Sequence, residues 1–165
     1  MNNKTDMPIP APFEDRLTVK PEWLDLNGHM NVAFYLRAVD DGSNAFFDAI
    51  GLGWAYTEAG AGSIFVTNCN MDFKREVFAG DALLVTTQLL DWSPKLIHCY
   101  AEVFNTRENY LAATCESIYI HIAFATRRSA PIPEHSQCQL AEIHREHAAR
   151  LARPGNLNRP LEIRR

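Results

Sequence analysis

The chain has 165 residues, 47% of them hydrophobic and 22% charged, and 16 basic against 20 acidic side chains leave a net charge of −4. That length suits one domain with a sizeable core. An acidic balance with scattered basic residues disfavours nucleic acid as the main partner, and no apolar run approaches the length of a membrane span, so no membrane association is expected.

Residues 1–14 are largely polar, with three prolines and no apolar h-region. They predict a flexible arm and no secretory signal. A short strand is expected from Asp15 to Lys20, ended by Pro21. A polar loop follows, with Asp25, Asn27, Gly28, His29 and Asn31 packed into seven positions. From Val32 to Ile50 the spacing is helical: Val32, Tyr35, Leu36, Val39, Phe46 and Ile50 share one face at a 3.6 period, opposite Arg37, Asp41, Asn44 and Asp48. Asn31 is a good N-cap type and Gly51 and Gly53 supply the stop.

Four strands are then expected, Ser63–Phe78, Asp81–Trp92, Lys95–Asn105 and Tyr110–Phe124, rich in β-branched and aromatic residues and joined by short turns. Short connections favour an antiparallel meander. Pro131 and Pro133 end the sheet, a polar amphipathic helix runs from about Glu134 to Leu151, and residues 153–165 form a loose tail. Residues 15–152 thus make a single α+β domain. One apolar helix cannot cover both faces of so long a sheet, so the sheet must wrap it. A remaining face or edge then needs a second copy, as a dimer or dimer of dimers. The four cysteines show no C-x-x-C spacing and three fall in strand-like runs, which points to reduced, buried thiols and a cytoplasmic protein.

The loop and helix together resemble the hotdog-fold acyl-CoA thioesterases of the 4-hydroxybenzoyl-CoA thioesterase type. The likeness rests on Asp25, then Gly28-His29-Met30-Asn31, Tyr35 and Asp40, over roughly Asp15 to Pro133. Asp40 stands where glutamate is common, and Val32 where many members carry a second asparagine. Within the family the texture is nearest to betainyl-CoA thioesterases and to the thioesterase half of carnitine dehydrogenase fusions. The resemblance implies a hotdog fold, with an antiparallel sheet around a long central helix plus a peripheral C-terminal helix. It also implies an acyl-CoA substrate, no cofactor and catalysis at Asp25.

Thioester hydrolysis needs an attacking oxygen and a donor for the developing oxyanion. A carboxylate serves as nucleophile or as base for water, and partial burial ahead of an apolar helix would make Asp25 the better base. A backbone N–H near Val32, at the positive end of the helix, is the candidate oxyanion donor. Asn27 and His29 alternate with Asp25, so an extended loop would aim all three to one side, where the resemblance has Asn27 and His29 orient water or thioester. Gly28 allows close backbone approach. Met30, Asn31, Tyr35, Asp40, Val66 and Thr67 are expected along the substrate, on the helix and the facing strand, with the partner contributing. Lys74, Arg75, Lys95, Arg107, Arg127 and Arg128 are candidates for CoA phosphates. For a trimethylammonium acyl group, Trp23, Phe34, Trp54, Tyr56 and Phe65 are candidates for an aromatic box.

Other chemistry has thinner support. His135, His144 and His147 lack a third convergent zinc ligand, so a solvated helix face is the plainer expectation. G-x-S-x-G and P-loop motifs are missing. A hotdog hydratase often sets its histidine five residues after the acid, whereas His29 follows Asp25 by four. A non-catalytic acyl-CoA-binding module remains the third reading, since fold alone does not fix function.

Overall fold

In a computed structural model of the chain, residues 12–158 are described; most of the expected arm and the last residues of the expected tail lie outside them. Strand β1 (Phe13–Thr18) leads through a one-turn 3-10 helix (Pro21–Trp23) and the polar loop into α1 (Val32–Gly42) and α2 (Asn44–Ala49). A short α3 (Trp54–Glu58) precedes the long strands β2 (Gly62–Phe73), β3 (Ala82–Trp92), β4 (Leu96–Asn105) and β5 (Tyr110–Ala123), then β6 (Arg128–Ser129) and α4 (Glu134–Arg150). All pairings are antiparallel, in the order β1-β3-β4-β5-β2, with β6 on the end of β5. The first strand thus begins two residues inside the stretch expected to be an arm.

The period-two pattern of the strands fixes which face wraps the helix. Leu83, Val85 and Leu89 on β3, Ile97, Cys99, Ala101 and Val103 on β4, and Ala113, Cys115 and Tyr119 on β5 are all buried on the concave side. Against them α1 buries Tyr35, Ala38, Val39 and Gly42, spaced three and four apart. Val32 and Leu36, expected on that same face, are instead 58% and 39% exposed. They flank the buried stripe, because the sheet curls round only one side of α1 and leaves the β2 side open.

The expected continuous helix over 32–50 is two helices. Gly42 lies so close to β3 that an added Cβ would stand 2.4 Å from the Val85 Cβ. The next residue, Ser43, turns its hydroxyl back to the Val39 carbonyl at 2.8 Å and meets the Thr87 hydroxyl at 3.2 Å, a back-bond that bends helices. Asp15 of β1 then accepts the Ala45 N–H at 2.9 Å and restarts the helix. The break aims Phe46 and Ile50 into a second core cluster with Leu89, Ile97, Tyr119, Ile132, Leu140 and Ile143.

The α4 helix forms where expected, but its His144 and His147 are not on the solvated face expected. β1 stops pairing with β3 at Thr87, and α4 covers the edge left open beyond it. The Leu89 N–H donates to His147 Nδ1 at 2.9 Å, and His144 Nε2 meets the Leu90 carbonyl at 3.2 Å. His147 is fully buried, so its other nitrogen carries the proton and the ring is neutral; burial pushes its pKa down. The chain after α4 is tied down too. Tyr100 donates to Asn156 Oδ1 at 2.7 Å and the Asn158 N–H to Glu116 at 2.8 Å, which straps residues 151–158 onto the convex face. Of the cysteines, Cys99 and Cys115 are buried as expected, but Cys69 and Cys138 are exposed. Burial raises the Cys115 thiol to about 11 and the Cys99 thiol further.

Two outcomes follow from this packing. Gly42→Ala forces α1 off Val85 and should cost about 1–3 kcal/mol, the range for overpacking a close contact, read as a lower urea midpoint. His147 has a depressed folded pKa, so its contribution to stability is present above its ordinary value of 6.5 and lost as pH falls below it. Urea midpoints of the wild type should drop between pH 8 and pH 5.5, and His147→Gln should flatten that part of the profile.

Candidate active site

The polar loop is a tight turn, not the extended segment expected. The Asp25 N–H donates to the His29 carbonyl, and the Gly28 N–H to the Asp25 carbonyl, both at 3.0 Å. A bridge joins Leu24 to Met30. Gly28 takes φ +83°, the left-handed conformation that closes such a turn and favours glycine. The Asn27 N–H donates to Asp25 Oδ1 at 2.7 Å. This fixes the carboxylate and leaves Oδ2 without a protein donor among the described residues. In consequence Asp25 and His29 converge through the turn itself, while the Asn27 side chain points to solvent.

Met30 is 1% exposed, and its N–H donates to the Val77 carbonyl at 2.8 Å; the Asn31 N–H donates to the Trp23 carbonyl at 2.9 Å. Asn31 is the cap expected: its side chain accepts the Ala33 N–H at 3.0 Å and its carbonyl the Phe34 N–H at 2.9 Å. That accounts for the donors on either side of Val32. The Val32 N–H itself has no hydrogen-bond partner among the described residues, and it opens onto the positive end of α1.

A pocket of about 340 Å³ lies here, lined by Asp25, His29, Met30, Val32 and Tyr35 on one wall and by Phe73 to Glu76 on the other. The second wall was missed as a wall by sequence reasoning, which offered only Lys74 and Arg75 as phosphate contacts. Nothing local marks it. The Lys74 and Arg75 N–H groups donate to the Ala112 carbonyl, and the Met30–Val77 bond then carries the segment to the loop. Tyr35, whose pKa burial raises, packs edge-on to Phe73 at 5.2 Å and directs its hydroxyl at the Arg75 carbonyl. The His29 ring meets the Met30 carbonyl at 3.3 Å and Glu76 at 3.9 Å. Lys74 pairs with Asp72 at 3.1 Å, and Arg75 with Glu108 at 3.3 Å while lying over the Tyr110 ring.

The other expected residues are not all gathered at this pocket. Asp40 and Val66 lie further along a groove between α1 and β2. Thr67 occupies a bulge in β2 and donates to the Ile118 carbonyl at 3.1 Å, away from the groove. The aromatic candidates scatter as well. Trp23 and Phe34 stack on each other at 5.6 Å, Tyr56 bonds His121 at 2.8 Å, and Phe65 and Trp54 are exposed.

Residues 19–140 match the model of the thioesterase-like superfamily. The chain belongs to that superfamily. It is 33% identical over 130 residues to the betainyl-CoA thioesterase of Pseudomonas aeruginosa, covering 77% of this chain and 82% of that protein. It is 32% identical over 130 residues to the L-carnitine dehydrogenase/betainyl-CoA thioesterase of Rhizobium meliloti, of which it spans 26%. Among solved structures, a Staphylococcus aureus protein in complex with CoA superposes with a TM-score of 0.83 at 27% identity, over 93% of this chain and 96% of that one. The 1,4-dihydroxy-2-naphthoyl-CoA thioesterase from Synechocystis shares the fold, with a TM-score of 0.70 at 20% identity over 80% and 97% of the two chains. The fold is therefore the hotdog fold that the resemblance implied, and the family is one of thioester hydrolases.

Proposed function

We propose that this protein hydrolyses an acyl-CoA thioester at the pocket where Asp25 faces the N-terminus of α1, and that its acyl group is betainyl. The observation that carries the reading is that Asp25 and Val32 line the same pocket, and that the Asp25 Oδ2 and the Val32 N–H have no hydrogen-bond partner among the described residues. Asp25 supplies the attacking oxygen, as nucleophile or as base for water. The carbonyl oxygen takes up negative charge as the tetrahedral centre forms, and the Val32 N–H and the helix dipole hold it. In the base route Asp25 takes a proton from the attacking water and returns it to the thiolate as the C–S bond breaks; in the nucleophile route that break leaves an anhydride on Asp25, which water then hydrolyses to the free acid, its proton going to the thiolate. His29 orients the water or the thioester, and Lys74 and Arg75 at the mouth favour the phosphates of CoA. The acyl preference rests on the betainyl-CoA thioesterases that the chain resembles over most of its length. Reduced, buried Cys99 and Cys115 suit a cytoplasmic setting.

The working unit is a homodimer paired through β2. That strand is an edge of the sheet, since among the described residues it pairs with β5 alone. On the face toward α1 it exposes Val66 at 45%, in one cavity with Leu36, itself 39% exposed, apolar surface of the kind that marks an interface; Phe65, 41% exposed, lies on the strand's opposite face. An antiparallel pair about a two-fold axis exchanges strand ends. The Ile64 end of one β2 then meets the Phe73 end of the other, and each Asp25 pocket gains a wall from its neighbour.

Release of CoA from betainyl-CoA should be detectable with a thiol reagent and should fall at least ~100-fold in Asp25→Asn, the loss typical of removing a catalytic carboxylate; wild-type hydration of an enoyl-CoA without CoA release would instead favour a hydratase. Val66→Glu should convert the protein to monomer in sedimentation velocity and lower CoA release with it; a monomer of full activity would contradict the shared site.

A further inference from the structure

Beyond the Asp25 pocket, the groove between α1 and β2 has a wall with its own chemistry. One cavity of about 270 Å³ runs from Ala33, the residue after Val32, along Leu36 to Asp40, Val66 and Tyr119. It joins another of about 230 Å³ that shares those last three residues and adds Asp41, Phe47 and Trp54. Three aromatic rings therefore border the far end. Phe47 and Tyr119 are locked edge to face at 5.0 Å. Trp54 is 66% exposed, and no Lys or Arg of the described residues lies over its ring.

The charges at this end do not balance. Arg37 is committed to Asp41 by a 2.7 Å bond. The carboxylate of Asp40, one residue before Asp41, makes no hydrogen bond or ion pair among the described residues. Burial first, and the neighbouring Asp41 second, push its carboxyl up. A cation against the aromatic faces would oppose both effects by its attraction for the carboxylate. Quaternary ammonium groups are bound in this way, by ring faces with a nearby carboxylate and no hydrogen-bond donor.

We infer that Trp54 and Asp40 form the receptor for a quaternary ammonium carried by the acyl group, and that they reach the thioester held in the partner's Asp25 pocket. The inference rests on the proposed thioesterase reading and the β2 pairing. Within one chain the distance is too great. Asp40 follows Val32 by eight positions, about 12 Å along α1, whereas the nitrogen of a betainyl group is two bonds from the carbonyl carbon. Exchange of strand ends solves this. Ile64 and Val66 border the Trp54–Asp40 wall, and Phe73 borders the Asp25 pocket, so an antiparallel β2 pair sets the wall of one chain against the pocket of the other. The short acyl group then lies between an attacking oxygen from one subunit and an aromatic, acidic wall from its neighbour.

The test compares kcat/KM for betainyl-CoA and for its neutral isostere 3,3-dimethylbutanoyl-CoA, which has a carbon in place of the nitrogen. The wild type should prefer the cation, and Trp54→Leu and Asp40→Asn should each reduce the ratio by roughly tenfold or more. A ratio unchanged by both variants overturns the receptor. Wild type that splits both thioesters equally overturns the receptor and leaves the thioesterase standing; wild type that splits neither, nor any other acyl-CoA, removes both. Co-expressed Asp25→Asn and Trp54→Leu subunits should recover about a quarter of wild-type betainyl-CoA hydrolysis, since half the dimers are mixed and each holds one intact site of two. No recovery above the two parents overturns delivery across the interface.

Discussion

One backbone hydrogen bond organises the site: the Met30 N–H to the Val77 carbonyl, 2.8 Å long. It fastens a turn from one end of the chain to the exit of β2 far along the sequence. Met30 is almost fully buried beside it, in the cluster formed by Val19, Trp23, Tyr35, Val39 and Val77. On one side of this pin the Asp25 turn is held against the start of α1. On the other, Phe73 to Glu76 become the opposite wall. Without it, the turn would still form and α1 would still be capped by Asn31. The carboxylate and the free Val32 N–H would then lack an enclosing surface.

The second constraint is incompleteness. The sheet curls over one side of α1 and leaves the other, with Val32 and Leu36, next to the bare edge of β2. Exposed apolar side chains on a helix and on an adjoining strand edge carry a cost in water that a second copy removes. In the proposed dimer, a groove that is half built in one chain would be closed by two, and closure would strengthen each electrostatic interaction inside by excluding water. At the other end of the sheet, β1 is also an edge strand, paired with β3 alone among the described residues, and the part of β3 beyond it is covered. There α4 satisfies the backbone of β3 with His144 and His147, and the strap after α4 covers the convex face with Asn156 and Asn158.

Much of the fold was legible in the sequence because strands alternate at a period of two and turns carry their own residues. The four long strands, their antiparallel pairing and the C-terminal helix came from that pattern; the order did not, since β2 crosses over to pair with β5 and is not beside β3 as the expected meander requires. The helix break did not, because Gly42 and Ser43 break it through Val85 and Thr87 of β3, contacts more than forty residues away. For the same reason a helix with histidines on its surface pattern turned out to bury one of them. His147 has no local signal that a strand edge will ask it for a hydrogen bond.

The sequence by itself determined the chemistry available at the site. Asp25 in a glycine-closed turn, Asn31 as cap and an apolar helix behind it are local facts, set by backbone preferences over a dozen residues. It did not determine their arrangement. Alternation suggested that Asn27 and His29 would flank Asp25, and a tight turn instead gave the Asn27 N–H to the carboxylate and sent its side chain outward. The wall from Phe73 to Glu76, and the meeting of Trp54 with Asp40, depend on strand register and helix position. Those are decided only when the whole core packs, because such contacts join residues whose separation along the chain leaves no periodic trace.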